Sequence, residues 1–535
     1  ISAAEQAAAA PAFETVRAAR APSEVLAFGG GRKLVTRWDA ERIAGLEDPS
    51  LAAPTGGEAP DVVAELKEAV PGDADRYIGP FVDGEAEGKG VCEYSSGARY
   101  EGEWKGGKRH GEGTLVDEYG NTYRGGWEND MQAGVGGWVY ADGSSYRGPL
   151  DRGMRSGRGE YTGADGSKYE GEWANDKRDG HGEYVSADGF SMRYSGGWRR
   201  DLKHGHGVLR TRESVAAPES VYDGEWREGL RHGSGRWELP SGGVYDGEWQ
   251  MDRRNGFGQL RTHDGDTYAG KWIGDRRCGE GSATSAATGS RYEGQWWADR
   301  ESGAGTCAYA NGDTYVGEWR EGLRHGNGCF TPKDGGEYDG SWDHGERHGA
   351  GKQVYPSGDV YRGGWHAGAR SGRGELLAGD GSRYEGLWAR GERDGKGAWR
   401  GADGSTYEGD WEAGVRSGEG TAVGADGETY AGEWEGGVRS GHGTRTAAPQ
   451  PGHDLRDEYV GQWVADAPDG QGTFTGAPPP AGNGETYTGE WERGVRHGHG
   501  RCVYHTGEVY VGKWSGGVRH GDGALAQAVR PFTAP

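Results

Sequence analysis

A chain of 535 residues with 109 glycines, 22 tryptophans and a formal charge of −23 has too much glycine and charge for a conventional apolar core. The glycines follow no Gly-X-Y period, which excludes collagen, and no run of about 18 apolar residues is present to make a membrane-spanning helix. The acidic balance argues against nucleic acid as a partner.

Residues 1–60 are Ala- and Pro-rich and read as a tail, with short helices expected around 24–28 and 37–46. The Gly-Gly-Gly-Arg-Lys run at 29–33 lacks the Gly-Lys-Ser/Thr ending of a phosphate loop. A better-formed helix is expected within 61–76: Asp61 caps it, Val62, Val63, Leu66, Ala69 and Val70 share a face, and Pro71-Gly72 ends it. Its place predicts a cover for the open end of a repeat array, with a partner-binding helix as the alternative.

From residue 77 to 523 one unit recurs. Its clearest copy runs Tyr100-Glu-Gly-Glu-Trp104-Lys-Gly-Gly-Lys-Arg-His110-Gly111-Glu-Gly113, and the usual step is 23 residues, as from Tyr100 to Tyr123. Such a period signals a solenoid rather than a globular domain. In a strand, Tyr100, Gly102 and Trp104 point one way and Glu101 and Glu103 the other. The return segment places Gly111, Gly113 and Leu115 on one face, where both glycines are expected to give the rings room over the partner backbone. The stretch from Lys105 to His110 reads as the hairpin loop. A second turn, with Asp-Gly at Asp142-Gly143, Asp165-Gly166 and Asp403-Gly404 and Asn-Gly at Asn311-Gly312, closes each unit. Each repeat is therefore predicted to be one β-hairpin, and the fold class an all-β, extended solenoid of about nineteen hairpins.

Composition supports this reading. Seventeen of the 22 Trp residues hold the fifth position of a repeat and nineteen of the 27 Tyr the first. The structural aromatics are exemplified by Tyr100, Trp104, Tyr169, Trp173, Tyr245, Trp249, Tyr315, Trp319, Tyr407, Trp411, Tyr510 and Trp514. Pro80 and Pro149 each remove a ladder donor from copies that also lack the Trp, so local irregularity is expected there. Cys92, Cys307 and Cys502 occupy the Leu115 position and read as small buried hydrophobes, while Cys278 and Cys329 stand alone. The absence of Cys-x-x-Cys points away from disulfides and metal, toward a reducing compartment. His204-Gly-His206 and His497-Gly-His499 arise from the repeat frame itself and are not read as ligands.

Spacing stretches between Tyr169 and Tyr194, Tyr194 and Tyr222, Tyr430 and Tyr459, and Tyr459 and Tyr487. The extra residues, including 211–220, 447–456 and 476–484, all follow the second strand and so emerge on one edge, as contact sites or as loop drift. Residues 524–535 form a short extension.

Charge is segregated as well. The predicted loops carry Arg109, His110, Arg178, Arg231, His232, Arg254, Arg277, Arg324, His325, Arg347, His348, Arg496, His497, Arg519 and His520. Together they predict a basic, His-rich interaction edge, opposite an edge and a face rich in Asp and Glu. With strands about 4.8 Å apart the array would run on the order of 180 Å, suited to extended contacts with other proteins.

The pattern Tyr-x-Gly-x-Trp followed by Gly-x-Gly, with Arg-His-Gly frequent between, resembles the MORN repeat family over 77–523. No nucleophile and base stand apart from the period, and no second domain remains to house an enzyme, so neither catalysis nor a cofactor is expected. The resemblance implies a structural scaffold and protein-interaction element of a large assembly, by analogy with radial-spoke head components of the ciliary or flagellar axoneme. It implies a cytoplasmic, cytoskeletal location and leaves room for self-association through the solenoid ends. The alternative it carries is a peripheral tether that links a membrane to the cytoskeleton through anionic phospholipids.

Overall fold

The computed structural model describes residues 75–449 and 455–527. The tail, the helix expected within 61–76, part of the 447–456 insertion and most of the C-terminal extension lie outside the described residues. What is described is all β: one 39-stranded sheet and a two-stranded ribbon, with every pairing antiparallel.

Each regular unit contributes a seven- or eight-residue Tyr strand and a longer return strand, as in Arg99–Lys105 and Lys108–Val116. The return strand then pairs with the Tyr strand of the next unit, Thr122–Glu128. Strand order therefore follows chain order, as short hairpin connections favour.

The tight turns are shorter than the sequence reading expected. Lys105 pairs directly with Lys108, so only Gly106 and Gly107 form the turn, both at positive φ (58° and 71°). Asn129-Asp130, Asn175-Asp176 and Gly436-Gly437 repeat this conformation. Two consecutive left-handed residues make the turn whose twist matches that of the flanking strands. Arg109 and His110 are thus strand residues, not loop residues.

The three motif glycines also serve three different purposes. Gly102 stands opposite Gly113 with its Cα against the partner backbone, where a Cβ would collide. Gly113 lies beneath the Tyr100 ring, whose hydroxyl donates to the Glu103 carbonyl at 3.0 Å. Gly111, expected beside it under the rings, instead takes φ of 57° in a bulge where the pairing jumps from Gly102↔Gly113 to Glu103↔His110. The jump leaves Gly111 and Glu112 as extra residues on the return strand.

The core is a single seam of rings. Tyr100 meets Trp104 at 5.2 Å and Trp127 at 5.1 Å, both edge-on, and Tyr245, Trp249 and Trp272 repeat the geometry farther along the chain. Edge-to-face contacts of this kind contribute about 0.5–1.5 kcal/mol each beyond area burial. The seam indoles donate to the preceding unit's second glycine, as Trp127 does to the Gly113 carbonyl at 3.3 Å; the indole N–H of Trp365 is left without a partner. Tyr100, Tyr245 and Tyr407 reach 0 % exposure. The rings cover one another because glycine lets each Tyr lie over the sheet, where the Trp rings meet it edge-on. Where Leu150 replaces Trp the seam is interrupted, and the return strand is split into Met154–Arg155 and Gly157–Thr162 at Ser156, opposite Pro149. At Pro80 the first unit breaks likewise into the short Phe81–Val82 and Glu85–Ala86 ribbon.

Candidate functional site

The arginines of the expected basic edge are turned inward. Arg109 places its guanidinium 4.4 Å from the Trp127 centroid and 5.8 Å from Tyr100. Its backbone N–H and Nε donate to the Asp130 carboxylate at 2.9 and 3.1 Å, and its Nη2 to the Asp130 carbonyl at 3.0 Å. The Asp130 N–H donates back to the Arg109 carbonyl. Arg178, Arg231, Arg254 and Arg277 repeat this clamp on Asp201, Asp252, Asp275 and Asp299. Where the next turn ends in glycine, as after Arg324 and Arg347, the carboxylate bonds are lost and the guanidinium-to-carbonyl bond to Gly345 or Gly368 remains, with the glycine N–H still donating to the arginine carbonyl. Each clamp joins one hairpin to the tight turn of the next and covers the seam with cation–π contact. The expectation of a free arginine edge therefore gives way to an internal strap.

The other expected edge residues divide. Arg496 lies over Trp514 and pairs with Glu485 at 2.9 Å, while Arg519 sits on Tyr504 at 4.5 Å and is exposed. His110, His232, His325, His348 and His497 are half-buried, and His520 is exposed. His325 and His344 both approach Asp343, at 3.3 and 2.7 Å, and His497 approaches Glu492 at 3.0 Å. Among the described residues no cluster of three or more His, Cys, Asp or Glu is arranged to hold a metal ion.

Several acidic positions are likewise absorbed by the fold. The Glu preceding the Trp reaches over the bulge in several units, so that Glu318 accepts from the Asn327 N–H at 3.1 Å and Glu433 from the His442 N–H at 2.9 Å. Glu101, Glu170 and Glu293 sit on the outer face, paired with Arg99, Arg158 and Arg291. At the wide turns, the Asp142 carboxylate accepts from the Ser144 N–H and hydroxyl, which holds it below the usual carboxylate range. The insertions at 211–220 and 476–484 lie between a return strand and the next Tyr strand, along this wide-turn edge.

The cysteines are free thiols. Cys92, Cys278, Cys307 and Cys502 are buried, and burial pushes the Cys92, Cys307 and Cys502 thiols up. A groove of 560 Å³ on the outer face, between Asp246, Phe257, Glu280 and Glu293, is floored by glycine backbone and presents no converging donors.

Sequence reasoning missed the strap. It was signalled by an Arg recurring at one fixed place in the period, in fourteen of the nineteen units against seventeen for Trp. Lys203 holds that place once, 4.1 Å from Trp226, and burial pulls its ammonium down to about 8.

A sheet built from one repeated hairpin, with one aromatic seam and no convergent chemistry among the described residues, defines a β-hairpin solenoid. The MORN repeat model matches nineteen segments, beginning at 77–99, 100–121 and 123–145 and ending at 487–509 and 510–523; the chain belongs to the MORN repeat family. Comparison with curated proteins finds no match. Among solved structures, the TCP domain of Drosophila melanogaster SAS-4 (dCPAP), in complex with a proline-rich motif of Ana2 (dSTIL), is similar at 14% identity, covering 35% of this chain and 90% of that chain with a TM-score of 0.17. A streptogramin B lyase matches at 11% identity, covering 58% and 94%, with a TM-score of 0.11.

Proposed function

We propose that this protein is a non-enzymatic scaffold, a long ruled surface on which other proteins of a large assembly are spaced. The observation that carries this reading is the fate of the reactive side chains. The strap arginines tie one hairpin to the next, the Glu residues of the bulges accept from backbone within their own hairpin, and four of the five cysteines are buried. What remains free is a repeating outer face and two edges.

The assembly we propose is a ciliary or flagellar axonemal complex of the radial-spoke-head kind, reached through the likeness to long MORN arrays without a catalytic domain. Fractionation of isolated cilia tests it. Retention in the detergent-resistant axoneme, with partial release by high salt, is expected. Recovery in the detergent-soluble fraction would replace the scaffold with the anionic-lipid tether, and absence from cilia would remove the axoneme.

A further inference from the structure

The tight-turn edge carries a charge reversal that the repeat does not require. On the outer face, the two residues flanking each tight turn pair across it, as Arg227 does with Leu230 and Ile273 with Arg276. In six consecutive hairpins, from Met192–Arg199 to Leu323–Thr331, these pairs supply Arg199, Arg227, Arg253, Arg276, Arg300 and Arg320. Interleaved with them are Leu202, Leu230, Ile273, Trp297 and Leu323, which are 41–71 % exposed. Of the six arginines, only Arg300 meets a carboxylate among the described residues, Glu321 at 3.5 Å. The straps are separate, since Arg231, Arg254 and Arg277 lie one residue further along on the opposite face.

Immediately afterwards the same edge turns acidic. The corresponding pairs bring Asp343, Glu346, Glu392, Glu412 and Glu435, with Val415, Val438 and Val464 beside them. The side chains of Glu392, Glu412 and Glu435 meet no Lys or Arg within 4.0 Å among the described residues. Every tight turn of the first block also holds a carboxylate, but Asp201, Asp252, Asp275 and Asp299 are taken by the strap arginines and Glu321 by Arg300, which leaves Glu228. A chain of net charge −23 thus sets a block of mostly unpaired arginines and apolar groups beside an acidic, apolar one interrupted by Arg390, on one edge and at one pitch.

We propose that this edge is the docking surface for a second copy of the same chain, antiparallel and edge to edge. The two-fold axis falls between the Thr314–Arg320/Leu323–Thr331 hairpin and the Glu337–Asp343/Glu346–Val354 hairpin. About this axis Arg320 faces Asp343 and Glu346, Arg276 faces Glu392, Arg253 faces Glu412, and Arg227 faces Glu435. The two hairpins without an acidic counterpart present apolar groups on both sides, Trp297 against Ala369 and Leu202 against Val464. A contact of this type is self-complementary, as a two-fold interface must be. With strands about 4.8 Å apart each block runs about 55 Å, and about twelve hairpins bring about two dozen side chains per copy, the number a standard interface uses. At physiological salt the Debye length is about 8 Å, so the facing blocks outweigh the repulsion between two acidic chains.

The experiment is sedimentation or light scattering of the full chain at about 0.1 M salt, with three proteins. The wild type is expected to be a dimer whose dissociation constant rises about tenfold or more in 0.5 M salt. Arg227→Glu, Arg253→Glu and Arg276→Glu together, and Glu392→Arg, Glu412→Arg and Glu435→Arg together, are each expected to be monomeric with unchanged far-UV circular dichroism. Mixed in equal amounts, the two variants should dimerise with each other, because each supplies the charge that the other now needs. Three results would overturn the proposal: a monomeric wild type, a dimer persisting in both variants, or two monomeric variants that fail to combine. A wild type that stays monomeric yet is captured by phosphatidylserine vesicles would overturn it as well, and would assign the basic block to a membrane.

Discussion

Lys203 offers the sharpest test of the strap. Its ammonium lies 4.1 Å from the Trp226 centroid and 5.6 Å from Tyr194, where other units place a guanidinium. The next tight turn is Glu228-Gly229, so no turn carboxylate reaches it, and Asp252 only partly offsets the burial that pulls its pKa from 10.5 to about 8. At about 1.36 kcal/mol for each tenfold change in proton affinity, the charged amine costs this segment about 3 kcal/mol. Because the folded value lies below the unfolded one, the cost is complete below pH 8. It fades as pH rises toward 10.5, and stability increases across that window. In Lys203→Arg the guanidinium stays charged but is more weakly hydrated, and its Nη2 can donate to the Gly229 carbonyl as Arg324 does to Gly345. The variant is expected to be more stable by about 1–3 kcal/mol at pH 7, with the gain shrinking between pH 8 and 10.5. Amide exchange over residues 192–250 at pH 7, with thermal melting from pH 7 to 10.5, measures both. A variant no more stable than wild type at pH 7, or a gain that stays constant to pH 10.5, would refute the assignment.

Other substitutions separate the roles assigned above. Gly258→Ala should destabilise its hairpin and the next by about 2–4 kcal/mol, because the new methyl overlaps the Tyr245 ring that Trp249 and Trp272 hold in place; exchange confined to neighbouring units would report it. Asp252→Gly keeps a residue suited to φ of 64° and removes only the carboxylate, so it should cost under about 1 kcal/mol. Arg231→Ala, which also loses the cation–π cover of Trp249 at 4.2 Å, should cost about 2 kcal/mol. Cys307 and Cys502 should resist a thiol reagent at pH 8 in the native chain and react at once in denaturant, with the half-buried Cys329 modified before either.

The hairpin unit and its aromatic face were legible because strand alternation alone places Tyr100, Gly102 and Trp104 together. The turn was not, because Lys105 to His110 was read as one polar segment. The dipeptides inside it and its counterparts, Gly106-Gly107, Asn129-Asp130 and Asn175-Asp176, are those that accept two successive left-handed conformations, and they mark a two-residue turn. That misplacement carried over to the candidate site. Once Arg109 belongs to a strand, its side chain has a face, and the face it takes is that of Trp127. The bulge at Gly111 was hidden for a different reason: in Gly-x-Gly, a glycine that spares a ring and a glycine that takes positive φ look alike.

All the variation in length lies at one edge. Among the described residues every tight turn has two residues, while the opposite connections range from the short turn at 504–507 to the long stretch between Thr446 and Glu458. The tight-turn edge is therefore a measuring scale with graduations about 9.6 Å apart, unaffected by whatever the other edge acquires. Loss or duplication of one repeat would move everything beyond it by a single graduation and leave the marks on either side in step. Binding partners that read this edge would meet distances that change only in whole units.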